Sequence, residues 1–444
     1  MKKYFGTDGI RGIVNKELTP EFALKLGRVL AGYLREKKGK IIIGQDTRIS
    51  KDMLNSALQS GILSTGIDVL NVGIIPTAGI AYLVKNYPDV LAGIMISASH
   101  NPVEYNGIKI FGKDGFKLSD DVEEEIEKLI DSQEDKFHRP YGENIGRSID
   151  FSEGRKIYKD FLKNAVGVDL SGWKIMMDCA NGAVSEIGPE LFKELGAEVI
   201  TSNCNYDGTN INKNCGAVYP EKGLEDFKKS GAKIGFTYDG DGDRTLAFAE
   251  DGTIVDGDRI LGIIASYLKG KNTLKKNTVV GTLMTNLGLE KYLKDRDISL
   301  IRTKVGDRYI LEEISKENLN LGGEPSGHII LFDYLPTGDG LLTSLFLTKI
   351  LKEENVSLSE LAKSIPQYPQ KNEKIPLRGK FPFEMLSIIE ERVKEVIKEN
   401  NIRYVVRPSG TEPVLRITLE GDVPESLLEE YIKEIKNKVI SLLT

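Results

Sequence analysis

The stretch TPEFALKLGRVLAGYLREKKGKIIIGQD, residues 19–46, decides the fold class, because a helix pattern runs directly into a strand pattern. Thr19 is a good N-cap residue and Pro20 suits the first helical position, while a glycine follows the last periodic residues. The short apolar run at 40–46 has the length of a buried strand. Ser50 then stands where it would cap a second helix. Helix and strand patterns that alternate in this way predict parallel strands with helical crossovers, and therefore an α/β fold.

The junction of a helix end with a strand recurs along the chain, which predicts three similar α/β domains of about 100 residues each. From position 368 onwards the pattern changes to strand, helix, strand, strand, helix, which predicts a smaller α+β domain. A charge-rich segment at 131–148 and a proline-rich segment at 364–376 indicate two of the boundaries. The predicted domains span residues 1–150, 151–255, 256–367 and 368–444.

The composition is that of an ordinary globular protein, since 40% of the 444 residues are hydrophobic and 28% are charged. A net charge of −6 argues against a nucleic-acid partner, so any phosphate must be bound by local groups. The apolar runs fall short of the ~20 residues of a membrane span, and the N-terminus lacks a signal-peptide pattern. Three cysteines without Cys-x-x-Cys spacing predict reduced, unpaired thiols. We therefore expect a cytoplasmic protein with no membrane partner.

The first loop that could carry chemistry is ISASHNPVEYNGIKIF, residues 96–111. Either Ser97 or Ser99 could be a nucleophile, with His100 beside it and Lys109 on a following strand, or the loop could be an ordinary turn. The segment GIKIFGKD resembles the start of a P-loop, but an aspartate stands where Ser or Thr should bind Mg²⁺ and no helix follows, which excludes an ATP site. A serine hydrolase is disfavoured because there is no G-x-S-x-G elbow.

The second loop, FTYDGDGDRTLAF, alternates Asp239, Asp241 and Asp243 with glycines directly after an apolar strand pattern. Three carboxylates this close repel one another unless a cation lies among them, and oxygen ligands alone suit Mg²⁺ or Ca²⁺. An EF-hand is disfavoured, because Arg244 stands where the sharp turn needs glycine and the flanks are strand-like. The alternative is a solvated acidic turn.

The third loop, GGEPSGHIILFDY, offers a carboxylate, a hydroxyl and an imidazole at Glu324, Ser326 and His328. These groups suit the hydroxyls of a sugar, and the two preceding glycines would let the backbone approach a ligand. A polar turn before a strand explains the same residues equally well.

The fourth loop, RYVVRPSGTEPVLRI, joins two strand patterns near the C-terminus. It combines two guanidinium groups with hydroxyls and backbone amides, which is a good composition for binding phosphate. The alternative is a β-hairpin with arginines in solvent. The candidate phosphate-binding residues are Arg407, Ser409, Gly410, Thr411 and Arg416.

The four loops together indicate phosphoryl transfer on a phosphosugar, in a cleft among four domains. The segments SASHNP, DGDGDR, GEPSGH and RPSGTEP also occur in the order that is typical of the α-D-phosphohexomutase superfamily. The chain resembles this superfamily over essentially its whole length. The segments FGTDGIRG, KVGDRY and TGDGLL are most similar to its glucosamine branch, the bacterial phosphoglucosamine mutases.

The resemblance implies four domains around a central cleft, namely three similar α/β domains with mixed sheets and a smaller C-terminal α+β domain. It implies that Ser99, and not Ser97, is the phosphoserine. It further implies one Mg²⁺ per subunit, bound by the three aspartates and by a phosphoryl oxygen on Ser99. The family positions near the transferring phosphoryl group are Arg11, Lys109 as the candidate general base, and Arg244, and His100 of the serine loop is a further candidate catalytic residue. The sugar-contacting positions are Glu324 and Ser326, with His328 in the same loop, and the distal phosphate positions are Arg407, Ser409, Gly410, Thr411 and Arg416.

The activity that the resemblance implies is interconversion of glucosamine 6-phosphate and glucosamine 1-phosphate through a 1,6-bisphosphate, for UDP-N-acetylglucosamine synthesis. Glucosamine or glucose 1,6-bisphosphate would serve as primer, and bacterial relatives suggest a homodimer. Three alternatives stay open at this point. They are a phosphomannomutase/phosphoglucomutase of the same superfamily, a phosphatase that loses the intermediate to water, and a non-catalytic phosphosugar- or Ca²⁺-binding protein.

Overall fold

The computed structural model describes residues 3–34, 39–377, 379, 381–382, 384–399, 401–409 and 413–443. Its described strands form four sheets, one after another along the chain. Helix α1 begins at Pro20 as predicted, and Thr19 Oγ1 accepts a hydrogen bond from the Phe22 amide at 3.2 Å. The prediction for Ser50 was wrong in part. The second helix does follow it, but the Ser50 hydroxyl does not cap that helix and accepts from Asn106 Nδ2 at 2.9 Å instead.

The first sheet has seven strands in the order β1-β2-β6-β5-β3-β4-β7. Its parallel part, β5-β3-β4-β7, is the predicted strand–helix alternation, whereas β1, β2 and β6 pair antiparallel. The strands are β1 (Phe5–Gly6), β2 (Gly9–Ile13), β3 (Lys40–Gln45), β4 (Asp68–Ile74), β5 (Val90–Ile96), β6 (Tyr105–Gly112) and β7 (Ser148–Asp150). The helices are α1 (Pro20–Leu34), α2 (Lys51–Leu63), α3 (Thr77–Asn86) and α4 (Asp120–Asp131).

The second sheet has five strands in the order β12-β11-β10-β8-β9, of which β10, β8 and β9 are parallel. Its strands are β8 (Lys174–Asp178), β9 (Glu198–Ser202), β10 (Ile234–Tyr238), β11 (Thr245–Phe248) and β12 (Ile254–Val255). Its helices are α5 (Glu153–Val166), α6 (Val184–Glu194) and α7 (Pro220–Ser230).

The third sheet has four strands in the order β14-β13-β15-β16, with the last pair antiparallel. Its strands are β13 (Thr278–Thr282), β14 (Ser299–Thr303), β15 (Leu321–Gly323) and β16 (Ile329–Leu331). Its helices are α8 (Gly257–Gly270), α9 (Leu287–Lys294), α10 (Asp307–Glu317), α11 (Gly340–Glu354) and α12 (Leu358–Lys363). No helix in the described part of the chain is long and apolar enough to cross a membrane.

The C-terminal sheet is small and antiparallel, in the order β17-β19-β18, and follows the predicted strand, helix, strand, strand, helix pattern. Its elements are β17 (Gln370–Pro376), α13 (Met385–Val396), β18 (Ile402–Pro408), β19 (Val414–Gly421) and α14 (Glu425–Leu443).

Hydrophobic packing joins the first three sheets and separates the fourth. One continuous cluster of buried side chains runs from the first sheet to the third and includes Ile75, Phe236 and Leu345. The C-terminal sheet has its own cluster, which includes Ile389 and Leu415. A group of strands and helices with its own hydrophobic core can move as a rigid body, because such a motion exposes little apolar surface.

The prediction of unpaired thiols was wrong for two of the three cysteines. Cys179 and Cys204 form a disulfide, and Cys215 is a buried free thiol. The pair forms because β8 and β9 are parallel neighbours whose last residues, Asp178 and Ser202, are register partners. Both cysteines therefore follow strands at the same edge of the sheet.

Candidate active site

The serine loop between β5 and β6 holds Ser99 in an unusual conformation. Ser99 is buried and has a φ of 52°, in the left-handed region that non-glycine residues rarely adopt. Such conformations persist where the surroundings enforce them, and they cluster at functional sites. The Ser99 Oγ donates to Asp239 Oδ2 at 2.7 Å, so the serine faces the aspartate loop of the second sheet.

Ser97 has a different environment from Ser99. Its Oγ donates to Asp46 Oδ2 at 2.7 Å and accepts from the Ser99 amide at 2.9 Å. Because both of its hydrogen bonds stabilise the loop, Ser97 supports the conformation in which Ser99 is the serine at the site.

The aspartate triad, Asp239, Asp241 and Asp243, fills the turn between β10 and β11. All three side chains are buried, and they offer carboxylate oxygens within 4.8 Å of one another. The loop glycines permit this approach, since a Cβ at Gly240 would lie 2.6 Å from the Ser99 carbonyl oxygen. The backbones of the serine and aspartate loops therefore lie against each other at Gly240.

The triad fits a hard divalent cation. Among the described residues, Asp241 Oδ1 and Asp243 Oδ1 are buried without a hydrogen-bond partner, and leaving such oxygens unsatisfied is costly. Burial and the charges of Asp243 and Asp241 raise the pKa of Asp239 well above its usual range, so without a cation one carboxyl favours its proton. Carboxylates without His or Cys suit Mg²⁺.

Lys109, on β6, is buried among three carboxylates. Its Nζ lies 2.8 Å from Asp241 Oδ2, 3.0 Å from Asp8 Oδ2 and 3.3 Å from Asp243 Oδ2. Burial alone would lower the pKa of Lys109, but the charges of Asp241, Asp8 and Asp243 outweigh burial and raise it well above its usual value. In this arrangement Lys109 is a cation that stabilises the acidic cluster.

Two arginines and a neutral imidazole surround the serine loop. Arg11 Nη1 donates to Asn101 Oδ1 at 3.2 Å, and Arg244 Nη1 lies 3.1 Å from His100 Nδ1. Burial, together with the charges of Arg244 and Arg11, lowers the pKa of His100 to about 4. Because Arg244 can only donate, the neutral His100 accepts through Nδ1, which lies 3.3 Å from Ser99 Oγ. Positive charge beside the serine loop therefore comes from the guanidinium groups and not from the imidazole.

The loop between β15 and β16 contributes groups at different depths. His328 is buried, with Nδ1 3.7 Å from Asp243 Oδ1, and its Nε2 accepts from the Gly338 amide at 3.1 Å. Glu324 Oε1 accepts from the Gly306 amide at 3.2 Å, whereas Ser326 is exposed. His328 thus packs against the aspartate loop, Glu324 is also buried, and Ser326 is the exposed residue of the three.

The sequence patterns did not reveal a network of ion pairs that joins the first and third sheets. Lys117 Nζ donates to Asp8 and to Asp307, the latter at 2.5 Å, and Asp8 also pairs with Arg11 and Lys109. Asp8 and Asp307 lie inside the FGTDGIRG and KVGDRY segments, which carried a resemblance but no assigned role for these residues. Their positions depend on how the sheets pack, which periodicity does not encode.

Two arginines of the candidate phosphate loop are neighbours on the C-terminal sheet. Arg407 and Arg416 are register partners across β18 and β19, and the Ser409 amide donates to the Val414 carbonyl at 2.8 Å. Burial and the charge of Arg416 lower the pKa of Arg407. Two adjacent guanidinium groups favour an anionic ligand. The predicted contacts at Gly410 and Thr411 lie outside the described residues.

Comparison with known proteins agrees with this arrangement. Models of the phosphoglucomutase/phosphomannomutase family match four consecutive parts of the chain. They are alpha/beta/alpha domains I, II and III at residues 2–137, 156–252 and 256–368, and the C-terminal domain at 353–438. The chain is 60% identical to a phosphoglucosamine mutase of Dictyoglomus turgidum, over the full length of both chains. The chain belongs to the phosphoglucosamine mutase family. A second member of that family, from Geobacillus thermodenitrificans, is 48% identical over 99% of this chain and 98% of its own.

Solved structures show the same fold at low identity to this phosphoglucosamine mutase family member. A phosphoglucomutase/phosphomannomutase family protein from Burkholderia thailandensis has a TM-score of 0.80 at 23% identity, over 98% of both chains. An Aspergillus fumigatus N-acetylphosphoglucosamine mutase in complex with GlcNAc-6P and magnesium has a TM-score of 0.68 at 18% identity, over 100% of this chain and 96% of its own. The predicted four-domain phosphohexomutase fold is confirmed.

Proposed function

We propose that this chain interconverts glucosamine 6-phosphate and glucosamine 1-phosphate through phosphorylated Ser99 and a 1,6-bisphosphate intermediate. The observation that carries the proposal is the 2.7 Å hydrogen bond from Ser99 Oγ to Asp239 Oδ2. It places a hydroxyl in a strained loop beside a triad that has two unpartnered carboxylate oxygens among the described residues. Phosphoryl transfer needs positioning and charge neutralisation, and these groups supply both.

One Mg²⁺ per chain would be held by Asp239, Asp241, Asp243 and a phosphoryl oxygen on Ser99. Bound there, Mg²⁺ would offset negative charge on the transferring phosphoryl group and on the carboxylates that raise the Lys109 pKa. Arg11 and Arg244 lie beside the serine loop. Their guanidinium groups would stabilise negative charge on the equatorial oxygens of the transferring phosphoryl group.

In the forward half-reaction, the substrate hydroxyl oxygen attacks phosphorus on Ser99. The new P–O bond forms at O6 of glucosamine 1-phosphate, or at O1 of the 6-phosphate, while the P–Oγ bond breaks. The proton of the attacking hydroxyl has to end on the leaving Oγ. Lys109, which carries a proton in this structure, gives that proton to Oγ and takes up the proton of the attacking hydroxyl, so its charge is restored at the end of the step. In the second half, Ser99 Oγ attacks the other phosphate of the bisphosphate and the P–O bond to the sugar breaks. The sugar oxygen takes up the proton that Oγ loses, which releases the monophosphate product and restores the phosphoenzyme.

The phosphate that does not react would bind at the C-terminal loop. Arg407 and Arg416 supply positive charge, with Ser409, Gly410 and Thr411 in the same loop. Glu324 and Ser326 would contact sugar hydroxyls, and His328 would support the aspartate loop from behind. Because the C-terminal sheet has its own core, it can move to exclude water while the intermediate turns.

A parallel rate assay tests the substrate. The purified chain is given Mg²⁺, a glucose 1,6-bisphosphate primer, and glucosamine, glucose or mannose 1-phosphate. We expect the glucosamine substrate to give the highest kcat/KM, with little free phosphate and no turnover by Ser99→Ala. A higher kcat/KM with glucose or mannose phosphates would contradict the amino-sugar assignment, and stoichiometric phosphate release would indicate a phosphatase.

We also propose that the enzyme acts in the cytoplasm as a homodimer. The resemblance to bacterial phosphoglucosamine mutases supports this proposal, although a disulfide such as Cys179–Cys204 is uncommon in a reducing compartment. Light scattering coupled to size-exclusion chromatography tests it, since a monomer of 49.2 kDa would contradict the dimer.

A further inference from the structure

The inference concerns Arg48, a fully buried arginine in the loop between β3 and α2. Its guanidinium donates to four backbone carbonyls of the serine loop. Nη2 donates to the carbonyls of Ser99 at 3.0 Å and Asn101 at 2.8 Å, and Nη1 donates to those of Tyr105 at 2.9 Å and Pro102. One side chain therefore fixes the loop from Ser99 to the start of β6.

The charge of Arg48 is balanced by a buried carboxylate. Arg48 Nε donates to Asp46 Oδ2 at 2.9 Å, and the same oxygen accepts from Ser97 Oγ, which in turn accepts from the Ser99 amide. Burying an ion pair costs free energy that an apolar core would avoid, so such a pair is weak evidence for stability. Arg48 uses its remaining N–H groups to donate hydrogen bonds to the backbone of the serine loop.

Asn212, which follows β9 of the second sheet, also binds the Ser99 carbonyl. Asn212 Nδ2 donates to the carbonyls of Ser99 at 2.9 Å and Asn101 at 3.2 Å, and the Asn212 amide donates to the Ala180 carbonyl at 2.9 Å. The Ser99 carbonyl thus accepts from both Arg48 and Asn212. A residue with φ of 52° keeps that conformation only if its peptide groups are held in this way.

We propose that Arg48 and Asn212 are positioning residues for phosphoryl transfer, because together they fix the backbone that aims Ser99 Oγ at the aspartate triad. The inference rests on the proposed function. Arg48 offers no group to the phosphosugar, since its N–H groups donate to Asp46 and to serine-loop carbonyls. Asn212 Nδ2 donates to the Ser99 and Asn101 carbonyls, and Asn212 Oδ1 is buried without a hydrogen-bond partner among the described residues. Their effect is on the placement of Oγ, and a displacement of about 1 Å from productive geometry costs roughly 10²-fold in rate.

The test uses two variants with matched controls. Arg48→Lys keeps the charge but cannot reach four carbonyls, and Asn212→Ala removes one side-chain amide. Arg28 is a buried arginine that pairs with Asp135 and donates to carbonyls far from the site, so Arg28→Lys is the control for the first. Asn320, a buried asparagine of the third sheet, gives Asn320→Ala as the control for the second.

We expect kcat to fall about 100-fold in Arg48→Lys and about 10-fold in Asn212→Ala, with KM for glucosamine 1-phosphate within about threefold of wild type. The single-turnover transfer of phosphate from Ser99 to the sugar should slow by the same factors. Both controls should keep kcat within about twofold of wild type, whatever they do to the melting temperature.

Two outcomes would overturn the inference. One is a kcat within about twofold of wild type in Asn212→Ala and in folded Arg48→Lys. The other is an equal loss of kcat in the controls, which would mean that general destabilisation lowers the rate. Circular dichroism shows whether Arg48→Lys folds. If it does not fold, the kcat of Asn212→Ala alone tests the inference. Failure of the proposed function is distinguishable, because the wild-type chain itself would then not turn over glucosamine 1-phosphate.

Discussion

Ser99 Oγ lies 2.7 Å from Asp239 Oδ2, although the two residues are 140 positions apart and belong to different sheets. The candidate nucleophile and the candidate metal ligands therefore meet only when the first and second sheets pack together. A continuous hydrophobic cluster through the first three sheets fixes this packing. The site is thus a product of tertiary structure, and its geometry is as rigid as the core beneath it.

Asp241→Asn should weaken the metal site. Asp241 Oδ2 already accepts from Thr77 Oγ1 at 2.6 Å and from Lys109, so Oδ1 is the oxygen left for a cation. We expect the activation constant for Mg²⁺ to rise at least about tenfold and kcat to fall at least about 100-fold. Asp251→Asn is the control, since Asp251 pairs with Lys363 outside the site. An unchanged Mg²⁺ titration of activity would contradict the assignment.

Asp339 should make stability depend on pH. It is buried at the start of α11, where it accepts from the Leu342 amide and from Tyr158 Oη, and burial raises its pKa to about 6 despite these hydrogen bonds. Between the unfolded pKa of about 3.9 and this value, the native state binds more protons than the unfolded state. The free energy of unfolding should therefore fall by about 3 kcal/mol as the pH rises from about 4 to about 6.

Asp339→Asn removes this titration and leaves an oxygen for the Leu342 amide. Chemical denaturation at a series of pH values should give a flatter curve for the variant than for the wild-type chain. Parallel curves for the two proteins would show that the Asp339 carboxyl does not have a raised pKa.

Reduction of the Cys179–Cys204 disulfide should lower stability. The bond closes a loop between residues 25 positions apart, and loops of this length contribute about 2–4 kcal/mol. Guanidinium denaturation with and without dithiothreitol measures the loss. Cys204→Ser is the control, because the reductant should have no further effect on it. Equal midpoints for the oxidised and reduced wild-type chain would refute the prediction.

Arg407→Gln should affect substrate binding more than chemistry. Arg407 is the register partner of Arg416 on the C-terminal sheet, and burial with the charge of Arg416 lowers its pKa, so an anionic group beside Arg407 would be favoured. We expect KM for glucosamine 1-phosphate to rise by about tenfold or more, with a smaller change in kcat. Arg392→Gln is the control, since Arg392 pairs with Glu395 on exposed α13. An unchanged KM would place the distal phosphate elsewhere.

Local patterns predicted the elements of the fold well. The helix that begins at Pro20 and the strand over Lys40–Gln45 follow from capping chemistry and apolar periodicity, which act within a few residues. The Ser50 cap failed because Ser50 has helical and not extended backbone angles, and its hydroxyl accepts from Asn106 instead. The disulfide could not be predicted, because its formation depends on the parallel register of β8 with β9.

The loops of the candidate site could be predicted, but its supporting residues could not. Asp239, Asp241 and Asp243 are conspicuous in the sequence because three carboxylates in five positions need a reason. Arg48 is not conspicuous, since an arginine in a polar loop is usually solvated, and only the structure shows that it is buried beneath Ser99. The same holds for the chain from Asp8 through Lys117 to Asp307.

The most direct test of the account is a pulse–chase experiment on the phosphate of Ser99. The wild-type chain is labelled with ³²P from glucose 1,6-bisphosphate, freed of primer, and mixed with unlabelled glucosamine 1-phosphate and Mg²⁺. We predict that the label maps to Ser99 and passes to the sugar within one turnover, and that Ser99→Ala, which keeps the fold, neither accepts label nor turns over. Label that stays on the protein through many turnovers, or wild-type activity in Ser99→Ala, would contradict the account.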